Sequence, residues 1–157
     1  MALRQGPPRG SAHGAAVRLL QRRDHGMGEL RRKLRMRGFS DGEIEKALES
    51  LRGQGLLDDA SYAMAFAKES LASGRGPKWI SAKLRSRGVF VKALGITLGD
   101  ETASLRALLK KRRVTGAALT DAKERAKIMR FVMGRGYSSA AVTAVFGAFE
   151  NDEQDSI

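Results

Sequence analysis

Apolar positions along this chain recur at helical spacing, and three Arg-Gly pairs, Arg37-Gly38, Arg87-Gly88 and Arg135-Gly136, set their register. Aligned on the glycine, Leu30, Ile80 and Ile128 stand eight positions before it, and Leu34, Leu84 and Val132 four before. Phe39, Val89 and Tyr137 follow by one, Ile44, Leu94 and Val142 by six, and Leu48, Leu98 and Phe146 by ten. The anchors are 50 and then 48 residues apart. Residues four apart share one face of a helix, so an apolar stripe leads into each glycine and a second stripe follows it. Glycine suits the left-handed position that ends a helix, and the apolar residue after it packs back on the last turn.

Each pair of stripes follows a further helical segment: 15–23 with Val17, Leu19 and Leu20, 60–72 with Tyr62, Phe66 and Leu71, and 103–111 with Leu105, Leu108 and Leu109. Ser40 and Ser138 are placed as N-caps, Ser40 with Glu43 as a capping box. Asp58 or Asp59 caps the helix from 60, Thr120 the helix leading to Arg135, and Pro77 suits the first turn of the helix leading to Arg87. The middle copy has Phe90 where a capping serine is due and Gly95 inside its last helix, which is therefore the weakest of the set. No segment alternates with period two. The expectation is an all-α protein, an elongated array of three tandem three-helix repeats at residues 15–57, 58–100 and 101–149. Residues 1–14 and 150–157 are expected to be disordered tails, the first basic and the second acidic. A unit of about 45 residues has little core of its own and gains by stacking on a neighbour.

Composition adds charge to this picture. The 157 residues carry 29 Lys plus Arg against 17 Asp plus Glu, a net charge of +12. Residues 16–59 contribute +2, 60–100 contribute +5 and 101–150 contribute +6. A polyanion is the expected partner, nucleic acid foremost, because each neutralised phosphate releases a condensed counterion. There is no cysteine, which excludes disulfides, a thiolate nucleophile and a cysteine metal site. The segment 1–14 has no apolar core, so a signal peptide is not expected, and no run is long enough to span a membrane. A cytoplasmic monomer is the expected form.

Candidate chemistry is cationic. Within the repeat, Lys33 and Lys83 stand five before the glycine, Arg35 and Arg85 three before, and Arg37, Arg87 and Arg135 one before. Arg31 and Arg32 extend the first set, and Lys110, Lys111, Arg112 and Arg113 form a dense run. With Lys78, Lys127 and Arg130 these are the expected partner- or DNA-binding residues, apart from Arg37, Arg87 and Arg135, which complement helix dipoles. Asp58-Asp59 lacks a third ligand and is assigned to capping, and His13 and His25 are too far apart for a ligand pair. Gly74-Arg75-Gly76-Pro77-Lys78 lacks the full phosphate-loop pattern and is read as a tight connection. Trp79 is assigned to packing, and Phe39 and Tyr137 to wedges after helix ends. No catalytic residue, cofactor or metal is expected.

The same residues resemble the RecX family. Leu19-Leu20-Gln21-Arg22-Arg23-Asp24-His25, with Glu29 to Leu34 and Arg37-Gly38-Phe39, looks like its opening unit. Gly55-Leu56-Leu57-Asp58-Asp59, Tyr62-Ala63, Gly74-Arg75-Gly76-Pro77 and Arg87-Gly88-Val89 resemble its central signature. Lys127 to Phe131 with Arg135-Gly136-Tyr137-Ser138 looks like the third unit. Gly26 departs from the family's usual serine, which leaves the following helix without its own cap. The resemblance covers roughly residues 16–149. It implies a regulator that lies in the groove of a filament of RecA-type recombinase on DNA and limits strand exchange, ATP hydrolysis and SOS coprotease activity. A general DNA- or RNA-binding protein that needs no recombinase is the alternative.

Overall fold

The structure, a computed structural model, describes residues 10–154, with side-chain surroundings given through residue 149. These residues form α1 (Ala12–Leu20), α2 (Met27–Met36), α3 (Asp41–Gly53), α4 (Asp59–Ala72), α5 (Pro77–Ser86), α6 (Leu98–Lys111), α7 (Gly116–Thr120), α8 (Ala122–Gly134) and α9 (Ser139–Gln154). No strand occurs among them. Two compact units result: Met1–Ala63 with Leu84–Lys92, and Met64–Lys83 with Ala93–Ile157. The fold is a helical repeat, with α4 and α5 each contributing to both units.

All three anchor glycines end their helices as expected. Gly38, Gly88 and Gly136 have φ of 87°, 73° and 91°. In each copy the glycine N–H donates to the carbonyl three residues back, Arg35, Arg85 or Met133. The next residue's N–H donates to a carbonyl five back, Phe39 to Leu34, Val89 to Leu84 and Tyr137 to Val132. These paired bonds satisfy carbonyls that a helix end otherwise leaves to water.

The first unit packs α1 and α2 on α3 around Leu30, Leu34, Phe39, Ile44, Leu48 and Leu51, all buried. Burying each such side chain contributes about 1.5–3 kcal/mol. Ser40 and Glu43 form the expected capping box. Gly26 gives α2 no side-chain cap, and Asp59 supplies one from a distance: its Oδ1 accepts from Met27 N–H at 2.8 Å. Asp58 caps α4, accepting from Ala60 and Ser61 N–H. Against the first turn of α2 lies the end of α5, so close that a Cβ on Gly28 would stand 2.6 Å from Gly88 Cα.

In the second unit Leu105, Leu109, Val132, Tyr137, Val142 and Phe146 are buried together. The α8 end meets the α5 start as α5 meets α2. Gly76 N–H donates to Arg135 O at 2.9 Å and Lys78 N–H to Gly136 O at 3.0 Å. A Cβ on either Gly76 or Gly136 would overlap the other strand of this junction. Ser104 hydroxyl donates to Leu71 O at 2.6 Å, so the Tyr137 hydroxyl, 2.7 Å away, donates to Ser104 Oγ. Ser138 caps α9 through Ala141 N–H, and Glu101 accepts from Ser138 N–H and hydroxyl.

Several elements differ from the sequence reading. The helix expected around Leu94 and Leu98 does not form: residues 89–97 are irregular, Gly95 has φ 67° and Phe90 is exposed. Without a capping hydroxyl at 90, and with glycine in the left-handed region at 95, helical backbone is not sustained. Leu98 instead starts α6, which Thr97 and Asp100 close with a capping box. Asp121 rather than Thr120 caps α8, because Thr120 ends the short α7 and donates to Ala117 O. Helix α1 starts at Ala12, capped by Ser11, inside the stretch expected to be a tail, and α9 continues to Gln154. The remaining tail residues, 1–9 and 155–157, lie outside the described residues.

Gly28→Ala should lower thermal stability by about 2 kcal/mol, since backbone rather than a movable side chain meets the new methyl. Gly147→Ala, inside α9 with open space around it, should raise stability by about 0.5–1 kcal/mol. Calorimetric melting of the two variants checks both signs; equal shifts would contradict the close junction.

Candidate functional site

The expected cations fall into two groups that the fold treats differently. In the first unit most are already paired. Arg31 grips Glu45 of α3 with Nε and Nη2, at 2.6 and 3.0 Å. Arg35 Nε donates to Asp41 at 2.7 Å. Lys33 stands 3.2 Å from Glu29, which also takes Arg23. Arg32 is exposed, with no hydrogen-bond or ion-pair partner among the described residues. Arg85 is exposed, while Arg87 reaches across to the Tyr62 hydroxyl at 2.7 Å. The surface pairs of Arg31 and Arg35 contribute little to stability, about 0–1 kcal/mol each, but they spend cationic charge inside the unit.

His25 is buried at the centre of the Glu29 group. Its Nδ1 lies 2.8 Å from Arg23 O and its Nε2 2.9 Å from Lys33 Nζ. Lys33 can only donate, so Nε2 accepts and Nδ1 carries the hydrogen: the ring is neutral. Burial, and the nearby Arg23 and Lys33 charges, hold its pKa below the usual histidine value, against the pull of the Arg23 carbonyl and Glu29. Burial pushes Glu29 up, but hydrogen bonds from Arg23 and Lys33 prevail and its pKa is lowered.

In the second unit the run at the end of α6 has no carboxylate partner among the described residues. Lys110, Lys111, Arg112 and Arg113 crowd the end of α6, all exposed. Arg113 has φ 56°, the one positive φ of a non-glycine residue among the described residues. It stands at the helix end where the anchor copies have glycine, donating its N–H to Lys110 O while Val114 N–H reaches Leu109 O. Holding a side chain in that conformation costs about 1–2 kcal/mol. Arg112 lies 4.0 Å from the Phe131 ring centroid on α8, which places the α6 end beside α8. Lys127 and Arg130 are exposed on α8, Lys127 at 3.6 Å from Glu124 and one turn before Phe131 on the same face. Lys78 is exposed at the start of α5, and Lys83 is exposed further along it.

Sequence reasoning passed over two residues here. Arg135, assigned to its own helix dipole, instead donates through Nε to Gly74 O at 2.6 Å and through Nη2 to Ser73 O at 3.1 Å. Arg75, read as part of a tight connection, lies 4.6 Å from the centroid of Trp79, which stacks on Phe66 at 6.2 Å. The aromatic residues spaced along α4, α5 and α8 were the available signal, since each now seats a guanidinium or another ring. Among the described residues no group of three or more His, Asp or Glu is arranged to hold a metal, and no helix is long and apolar enough to cross a membrane.

Comparison with known proteins agrees with the helical fold. The family model described as RecX, first three-helix domain, matches residues 12–51, and that described as RecX, third three-helix domain, matches residues 100–146. Regulatory protein RecX of Pseudomonas fluorescens (strain SBW25) is 36% identical over 141 residues, covering 88% of this chain and 91% of that protein. Regulatory protein RecX of Halorhodospira halophila (strain DSM 244 / SL1) is 34% identical over 144 residues, covering 89% of each. The crystal structure of RecX from Lactobacillus salivarius superposes with a TM-score of 0.69 at 16% identity, over 88% of this chain and 94% of that one.

Arg113→Gly should raise stability by about 1 kcal/mol while weakening polyanion binding, measured by urea titration and heparin-column elution. Stability should also depend on pH through His25. Its folded pKa lies below the unfolded one, about 6.5, so the unfolded chain takes up a proton first as pH falls. Stability is therefore full above that value and declines below it. His25→Gln should flatten the fall in urea midpoint between about pH 7.5 and 5; an unchanged slope would remove His25 as its source.

Proposed function

The chain belongs to the RecX family, and on that premise we propose that it regulates a RecA-type recombinase by binding along the recombinase–DNA filament. Curated relatives of high coverage carry the name regulatory protein RecX, which supports the regulatory role. In this reading the regulator restrains strand exchange, ATP hydrolysis and SOS coprotease activity by obstructing movement or addition of recombinase subunits. It performs no chemistry itself and needs no cofactor. It works in the cytoplasm as a monomer, in repeats spanning 15–57, 58–100 and 101–149.

The single observation that carries the docking mode is the unequal state of the cations. Those at the α6 end and on the neighbouring face of α8 have almost no carboxylate partners among the described residues, whereas Arg31, Lys33 and Arg35 are tied to Glu45, Glu29 and Asp41. Docking therefore falls chiefly to Lys78, Lys110, Lys111, Arg112, Arg113, Lys127 and Arg130, with Lys83 beside them on α5. Arg32 and Arg85 carry the first unit's share, with Arg31, Lys33 and Arg35 joining only where an anion displaces their partners. A filament presents phosphates and protein carboxylates at regular spacing, and unneutralised guanidinium and ammonium groups meet them with little internal bonding to break.

Recombinase ATPase assays separate this from simple coating of DNA. Inhibition is expected at amounts of protein well below those that saturate the DNA. A general nucleic-acid binder would inhibit only near saturation, with a log–log salt slope near −5 for about six phosphate contacts on duplex DNA. Lys110→Glu with Lys111→Glu should weaken inhibition about tenfold without loss of helicity. Full inhibition by that variant would remove the α6 end from the docking surface.

A further inference from the structure

Three guanidinium groups converge in the second unit from separate places in the chain. Arg75 comes from the connection before α5, Arg112 from the end of α6 and Arg135 from the end of α8. Arg112 and Arg135 lie 4.0 and 5.5 Å from the centroid of one ring, Phe131. Arg75 lies on Trp79, whose backbone abuts Gly136 next to Arg135. None of the three has a carboxylate partner among the described residues. Burial, then the charges of Arg75 and Arg112, press the pKa of Arg135 downward, as expected where like charges are held together.

We infer that Arg75, Arg112 and Arg135 form a seat for the phosphodiester backbone of a nucleic-acid strand. Like charges this close repel, and the fold tolerates them because each is fixed by other means. Arg135 is anchored by the Gly74 and Ser73 carbonyls, and the other two rest on aromatic faces that attract a cation. Contact with a ring face restricts the rotation of Arg75 and Arg112 while leaving their N–H edges available to an anion. Phosphate oxygens suit such edges in the fork geometry that guanidinium prefers. A single carboxylate would answer one of these charges and leave the others, whereas successive phosphates supply an anion for each. The rings themselves are occupied, Phe131 by two guanidiniums and Trp79 by Arg75 and Phe66. Bases therefore find no free platform at these rings, and the seat reads backbone without sequence. Lys127, one turn before Phe131 on the same face of α8, extends the seat along a strand.

The inference deepens the reading above by naming the ligand of this surface, and it is tested without recombinase. The probe is a fluorescent oligothymidylate titrated with the full chain over a range of salt. Arg75→Gln with Arg112→Gln keeps Arg135 and its backbone bonds. Affinity should fall about tenfold or more at low salt, and the log–log salt slope should become shallower by about 1.4, the value for two lost contacts on a single strand. Lys46→Gln with Lys92→Gln removes the same charge from the other unit and should leave the slope within about half of that change. Equal losses in the two variants would mean diffuse attraction and overturn the seat. So would unchanged oligothymidylate binding in the arginine variant. As a check that does not depend on a variant's folding, the Nε–H resonances of Arg75, Arg112 and Arg135 in the unaltered protein should shift together on adding oligothymidylate, with Arg52 unmoved. Failure of all three to shift also sinks the proposal. Intact oligothymidylate binding with no effect on recombinase ATPase would instead strike the proposed function and leave the seat standing.

Discussion

Where a helix ends on a left-handed glycine, its last carbonyls turn outward beside a residue with no side chain. This chain brings the first amides of another helix to that spot. In the second unit, Gly76 and Lys78 donate to Arg135 O and Gly136 O, so groups that helix ends leave unsatisfied on both sides satisfy each other. The negative end of one helix dipole also meets the positive end of the next. The approach is possible only because Gly76 and Gly136 both lack a Cβ. In the first unit Gly28 and Gly88 meet with the same economy of space. Two close glycine contacts thus set the start of α5 beside the end of α8 and the start of α2 beside the end of α5.

Charge placement follows from that register. The α8 end that supplies carbonyls to α5 also carries Arg135, whose side chain closes on Ser73 and Gly74 after α4. The same junction brings Trp79 beside Gly136 and so fixes where Arg75 rests. In the first unit, by contrast, α3 lies against α2 with Glu45 and Asp41 turned to Arg31 and Arg35. The net charges of the segments, +2 early and +5 and +6 later, are therefore expressed twice over, once in composition and once in pairing. The proposed docking gains from this division, since cations already paired would need to break bonds before meeting an anion.

The glycine anchors, the stripes around Leu34, Leu84 and Val132, the Ser40 box and a cap at Asp58 or Asp59 were legible because each is a local rule with a short reach in sequence. Partners of those features were not. Nothing in the sequence around Gly28 marks it as facing Gly88, because close backbone approach leaves no periodic trace. Asp59 as the cap of α2 lies 32 residues from Met27, beyond any capping pattern. The Leu94 and Leu98 spacing suggested a helix that Phe90 and Gly95 deny, and the true start at Thr97 was hidden because its box closes with Asp100 rather than the usual Glu or Gln. At the candidate site, the basic residues were visible and their state was not. Arg31 and Arg35 looked available until α3 folded back, and Arg75 and Arg135 looked structural until Trp79 and Phe131 gathered them.

The account stands on the junction between the end of α8 and the start of α5, and amide hydrogen exchange reads it directly. First-turn amides of a helix ordinarily exchange quickly, because they lack partners inside the helix. Those of Gly76 and Lys78 should instead be protected to the level of amides inside α8, while Ala122 and Lys123, in the first turn of α8 itself, exchange fast. Exchange of Gly76 and Lys78 as rapid as that of Ala122 and Lys123 would contradict the junction and the arrangement of cations built on it.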